Sequence, residues 1–192
     1  MPAVSPNLAT LDGREVLVGV TGGIAAYKTA YLVSGLVQAG ARVTVVMTEA
    51  AERFVGPLTF RALTGRPVVD DLWSMAEGDR STHIALADRA DVAVVAPATA
   101  NLLAKMAHGL ADDLLSTLLV ALDVPVLLAP SMNERMWRSA AVQANVAALR
   151  ARGVHFVGPE EGRLACGTEG PGRMAEPEAI LAAIARLLEP RA

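Results

Sequence analysis

The feature that most constrains this chain is an alternation. Short, nearly continuous apolar runs recur along it, separated by stretches whose apolar residues repeat at helical spacing. EVLVGV (15–20), RVTVVMT (42–48), DVAVVAP (91–97), VPVLLAP (124–130) and GVHFVGP (153–159) have the length of strands and almost no polar face. Strands apolar on both sides belong in a parallel sheet covered on both sides. Helices are predicted over 23–40 with Gly40 as the stop, then over Pro57–Thr64, Thr82–Arg89, Thr99–Ala107, Asp113–Leu122, Glu134–Arg152 and Pro177–Leu188. Alternating strands and helices build βαβ units, so the fold class is α/β: a Rossmann-like (flavodoxin-like) doubly wound parallel sheet in three α/β/α layers.

The 192 residues, 53% hydrophobic, suffice for one sizeable core and show no repeat, linker or second domain. Residues 1–14 are read as a disordered N-terminal segment and 15–192 as the single domain. A net charge of −3 with scattered basic residues gives no electrostatic case for nucleic acid or a membrane surface. No apolar run reaches a membrane span, and MPAVSPNLATLDGRE lacks the basic start and apolar core of a signal peptide. The lone cysteine, Cys166, has no intrachain partner for a disulfide, which fits a reducing cytoplasm.

In an open parallel sheet ligands bind beyond the carboxyl ends of the strands. The chemistry is therefore sought in TGGIAAYK, TEAAERF, PATAN, PSMNERMW and PEEGRLACGTEGPGRM, which should meet in space. The N–H groups of Gly22, Gly23 and Ile24 form either an anion cradle at a helix start or a tight packing turn; the spacing matches neither GxGxxG nor a P-loop. Thr99 and Asn101 sit where an ordinary N-cap would also place them, and Asp112 and Asp113 read as a cap rather than a metal pair. No His or carboxylate cluster supports a metal site. His83 is either a structural histidine or a proton-transfer group, and Cys166 either inert or reactive. Trp73 reads as a cap on the core. The Gly-rich stretch 158–172 is long for a simple connection and has the length of a binding flap.

Taken together, GVTGGIAAYK, MTEAAERFVGPLTF, STHI, PATANLLAKMAHGLADDLL, PSMNERMW and GRLACGTEGPGRMAEP resemble the homo-oligomeric flavin-containing cysteine decarboxylases from about Glu15 to the last helix. The resemblance implies an FMN-dependent carboxy-lyase of coenzyme A biosynthesis, converting 4'-phosphopantothenoylcysteine to 4'-phosphopantetheine. It implies FMN contacts at Gly22, Gly23, Ile24, Thr48, Thr99, Ala100, Asn101, Leu102 and Ser131. Leu102 stands where the family often carries Thr, a departure that removes one hydroxyl from the flavin's surroundings. Substrate contacts fall to Asn133, Met136, Ala165 and Gly167. His83 would be the base of an oxidative half, Cys166 the acid of a reductive half, and Asn133 the amide that orients the departing carboxylate without an ion pair. A homotrimer or a dodecamer of four trimers is implied, with the flavin at a subunit interface and His83 serving a neighbour. A phosphopantothenate–cysteine ligase as a separate partner chain is compatible with this.

Two other readings stand beside it. A peptidyl-cysteine oxidative decarboxylase of the lantibiotic-maturation type shares His, Asn and FMN but stops at the enethiol, and the ACG motif argues against it. A non-catalytic regulatory relative can lose catalytic residues, whereas His83, Asn133 and Cys166 are all present.

Overall fold

All seven residues of Val92–Ala98 are buried, as are five of six in both Glu15–Val20 and Arg42–Met47. A computed structural model shows where those side chains go; it describes residues 8–73, 81–163, 167 and 169–189. After a 3-10 helix at Leu8–Leu11, the order is β1 (Glu15–Val20), α1 (Ala26–Gln38), β2 (Arg42–Met47), α2 (Glu49–Glu52), α3 (Pro57–Thr64), α4 (Thr82–Arg89) and β3 (Val92–Ala98). Then come α5 (Ala100–His108), α6 (Leu114–Ala121), β4 (Val126–Pro130), α7 (Glu134–Trp137), α8 (Ala140–Ala151), β5 (His155–Phe156), β6 (Glu160–Arg163), β7 (Glu169–Arg173) and α9 (Pro177–Leu188).

The first five strands form one parallel sheet in the order β2-β1-β3-β4-β5. Successive side chains of a strand point to opposite faces, and here both faces are apolar. Val16, Val18 and Val20 join Leu32 of α1, Phe60 of α3 and Ile180 and Ile184 of α9 in one core. Leu17, Val95 and Leu128 join Leu103 of α5, Leu115 of α6 and Leu149 of α8 in the other. The three layers follow from that split. Phe60 is fully enclosed, and burial of a side chain this size contributes about 1.5–3 kcal/mol, which anchors the short α3. Gly40, at φ +84°, turns the chain out of α1 where a side chain would be strained.

Several elements depart from the sequence reading. Order begins before Glu15: Leu11 is fully buried in the α1/α9 core, and Thr10 Oγ1 donates to the Ala185 carbonyl at 3.4 Å. The helix expected over Glu134–Arg152 is two, because Ser139 takes an extended conformation (ψ 132°) and Gln143 Nε2 bonds the Trp137 carbonyl across the break. The stretch 158–172 contributes an antiparallel ribbon, β6 with β7. Trp73 does not cap the core; it is 84% exposed, beyond the edge bridge of Val69 to Val46.

The connections from β1 lead first to β2 on one side and then to β3 on the other, so the loops after β1 and β3 diverge and leave a crevice. One buried hydroxyl spans it. Thr21 Oγ1 donates to the Pro97 carbonyl at 2.6 Å and accepts from Thr99 N–H at 3.2 Å, with the residue 2% exposed. Thr29 Oγ1, also buried, donates to the Ala96 carbonyl at 2.6 Å and fixes α1 on the same strand end. Replacing Thr21 by Val keeps the shape but strands two backbone groups. Thr21→Val should therefore lose about 1–3 kcal/mol in urea unfolding, while Thr21→Ser stays close to the parent.

Candidate active site

All five segments that follow the strands reach one cleft of about 1270 Å³ at this switch point. The turn after β1 supplies Gly22, Gly23 and Ile24; the end of β2 supplies Thr48; the start of α5 supplies Thr99, Ala100, Asn101 and Leu102; and the end of β4 supplies Ser131. Asn133 and Met136 line it from the start of α7, and Gly167, Gly172 and Arg173 from the ribbon side. Ala165 and Cys166 lie outside the described residues. His83 does not line the cleft of its own chain: it sits in the first turn of α4, with Nδ1 buried and unpartnered among the described residues.

Each wall has a local cause. A Cβ on Gly22 would fall 2.5 Å from Ala50 Cβ and 2.9 Å from its carbonyl carbon, so glycine lets the first turn pack on α2. Gly23 is different. A Cβ there would meet only Pro97 Cγ at 3.7 Å and Thr99 Cγ2 at 3.8 Å, ordinary contacts that demand no glycine. Close approach of a ligand would. Gly23 N–H is engaged by the Thr21 carbonyl, which leaves the N–H groups of Gly22 and Ile24 outside the turn's own bonding among the described residues. Thr48 and Thr99 are both N-caps, accepting from Ala51 and Leu102 N–H, so each hydroxyl is held in a fixed orientation at the cleft edge.

The Asn133 side chain caps α7 by accepting Arg135 N–H at 2.8 Å. That engages Oδ1; the amide nitrogen is a donor. The ribbon braces this loop: the Gly172 carbonyl accepts Met132 N–H at 2.9 Å, and a Cβ on Gly172 would stand 2.2 Å from the Met132 oxygen.

The cleft cations are mostly paired. Lys105 Nζ lies 2.6 Å from Asp112 and 2.7 Å from Asp113. Burial would lower the Lys105 pKa, but hydrogen bonds donated to both carboxylates outweigh it and hold it above the usual lysine value. Burial would likewise raise Asp113, and Lys105 with Ser116 holds it below. Asp113 and Ser116 also form a capping box that starts α6. Across the cleft, Glu176 binds Lys28 through both oxygens at 3.0 Å and pairs with Arg173, so α1 and the ribbon share one carboxylate. Hydrogen bonds from Lys28 and Arg173 hold the Glu176 carboxyl below its usual range.

Sequence reasoning missed Thr21, Lys28, Lys105, Arg163 and Arg173 as cleft residues. Two carried a readable signal: Lys28 follows Ile24, and Lys105 follows Asn101, at the four-residue spacing that keeps a helical face.

The family model described as "Flavoprotein" matches residues 4–189. The coenzyme A biosynthesis bifunctional protein CoaBC of Vibrio vulnificus is 48% identical over 96% of this chain, and that of Bacillus subtilis 50% over 89%. Those matches cover 46% and 42% of the relatives, so the chain spans less than half their length. Among solved structures, a mutant PPC decarboxylase complexed with pantothenoylaminoethenethiol superposes with a TM-score of 0.86 at 33% identity, covering 93% of this chain and 100% of that one. The FMN-dependent cysteine decarboxylase SpaF gives 0.82 at 37%, covering 93% and 97%. Among the described residues no helix is long and apolar enough to cross a membrane.

The Glu176 brace has a pH signature. A depressed folded-state pKa contributes stability that is present above the ordinary glutamate value and is lost as the pH falls through the folded one. Glu176 is 40% exposed, so solvent and salt screen the effect. Hydrogen exchange of β6–β7 should be pH-insensitive above about pH 5, after intrinsic correction, and lose protection below it. Glu176→Gln should show the low protection throughout; a Gln variant that retains the parent's pH profile would assign the transition elsewhere.

Proposed function

The chain belongs to the flavoprotein family, and on that premise we propose that residues 15–192 act as one FMN-dependent decarboxylase domain. It would convert 4'-phosphopantothenoylcysteine to 4'-phosphopantetheine in the cytoplasm. The observation that carries the reading is the convergence of Gly22–Ile24, Thr48, Thr99–Leu102 and Ser131 on one cleft that Asn133 and Met136 also line. The solved relative that binds pantothenoylaminoethenethiol, an enethiol, supports the same chemistry.

The residues present fit FMN. Gly23 leaves open a space that packing does not require, and the turn donors of Gly22 and Ile24 suit a phosphate. Thr48, Thr99–Leu102 and Ser131 would hold the rest of the cofactor. FMN, when bound, supplies a reversible hydride acceptor for the cysteine side chain. The protein's own work is position and protons. The Asn133 amide would donate to the substrate carboxylate and align it for departure, and an amide does so without the charge that would stabilise the carboxylate against loss as CO₂. Met136 would shape the pocket around the cysteine unit, with Ala165 and Gly167. His83 would remove the proton of the oxidative half, and Cys166 would return one in the reductive half. His83 stands apart from its own cleft, which supports a homotrimer or dodecamer of trimers in which His83 would serve a neighbour. A ligase partner as a separate chain is part of the same reading.

Two measurements test it. Mass spectrometry after incubation with phosphopantothenoylcysteine should show the fully reduced product that has lost CO₂; conversion only of a peptide ending in cysteine, or no conversion, would overturn the reading. Among variants, Gly23→Ala should fold normally yet weaken FMN binding by about tenfold or more. Asn133→Asp should keep FMN and lose turnover on the order of 10³-fold, because it sets a negative charge against the substrate carboxylate. Cys166→Ser should still oxidise and decarboxylate but release the enethiol, since a hydroxyl is a far weaker acid than a thiol.

A further inference from the structure

Two buried side-chain atoms among the described residues have no hydrogen-bond partner: His83 Nδ1 and Thr117 Oγ1. They stand on α4 and α6, and those two helices pack against each other. Both atoms are closed to solvent within a single chain, so neither a bound ligand nor a neighbouring subunit satisfies them directly. Buried polar groups in folded proteins are nearly always paired, and leaving one unpaired costs about 1–3 kcal/mol. The partner each needs is therefore internal. On α6, packed against α4, the Thr117 hydroxyl is the other group without one.

The direction of a bond between the two matters. In a neutral imidazole one nitrogen carries the proton and the other the lone pair. If the Thr117 hydroxyl donated to Nδ1, the proton would sit on Nε2, and the more accessible end of the ring would have nothing to accept with. If Oγ1 accepts from Nδ1–H instead, Nε2 keeps its lone pair and can act as a base beyond the chain's own cleft. We propose that Thr117 is a positioning residue for His83: its hydroxyl oxygen accepts from Nδ1–H and holds the ring in the tautomer whose Nε2 takes a proton. This rests on the reading of His83 as the base of the oxidative half. It adds a residue that touches neither substrate nor cofactor, in a helix with four leucines among its eight residues.

The tautomer is directly measurable, and the chain's three histidines keep the spectrum simple. In the FMN-loaded protein with 15N-labelled histidine, solid-state NMR above the histidine pKa should show His83 with a protonated Nδ1 and an unprotonated Nε2. The assignment comes from the signals lost in His83→Asn. Thr117→Val, which preserves shape, should shift the ring to the other tautomer or a mixture. It should also lower kcat of the oxidative half on the order of 10²-fold with KM unchanged. Thr117→Ser should restore both. A parental His83 already protonated at Nε2, or an unchanged spectrum in Thr117→Val, overturns the proposal, and the first result needs no variant to fold. The spectrum is read without substrate, so a protein that proves inactive on phosphopantothenoylcysteine leaves the tautomer result standing as a separate answer.

Discussion

The cleft depends on one hydroxyl. A doubly wound sheet opens between the strands where its order reverses, and nothing in the strand ladder itself holds the diverging loops at a set distance. Thr21 does so, because a hydroxyl can donate and accept at once: Pro97 on one bond, Thr99 N–H on the other. Pro97 stands at the end of β3 and Thr99 just beyond it, and the residue following Thr21 begins the glycine turn. The first turn and the PATAN loop are thereby one rigid unit. Thr99 in turn caps α5, so the orientation of Ala100 to Leu102 follows from the same bond. A valine of equal shape would pack as well and would leave the site unaligned.

Charge divides the cleft differently from shape. Lys105 is matched by two carboxylates, so its side carries no surplus of positive charge. On the other side two cations, Lys28 and Arg173, share Glu176, and Arg163 lines the cleft near them. These cations lie where α1 meets the ribbon, whose strands also carry Glu160, Glu161 and Glu169. The paired lysine has a structural task instead: through Asp113 it joins α5 to the capping box that begins α6.

Much of this was legible in the sequence because central parallel strands are uniformly apolar. Glu15–Val20 matches its reading to the residue, and Pro57–Thr64, Thr82–Arg89 and Pro177–Leu188 do so because Pro at a first turn or Thr beside a cap marks a helix start. The nine residues assigned to FMN all line one cleft, since strand-end loops converge whatever their detailed conformation. What the sequence hid depends on distant contacts. Ser139 breaks a helix that local propensity would continue, and Gln143 closes the break from six residues away. The β6–β7 ribbon has glycine-rich strands with no alternation to read; it exists because Gly172 lies against Met132, a contact forty residues apart. Trp73 invited a core assignment from its chemistry alone, and exposure is a property of the fold.

The distribution of groups along the chain then makes physical sense. The residues proposed to hold a ligand are placed at the ends of buried strands, where the backbone has least freedom. Asn133 belongs to this set: β4 precedes it, α7 follows it, its own oxygen is tied to Arg135, and the ribbon clamps the preceding peptide. His83 does not. It rides on α4, a helix that leads into β3 rather than out of a strand, and strand-end logic therefore gives it no place in the cleft of its own chain. On the proposed reading, in which it serves a site built by another copy, His83 would need a fixed ring orientation more than a fixed strand. The proposed Thr117 hydroxyl on the neighbouring helix would supply that.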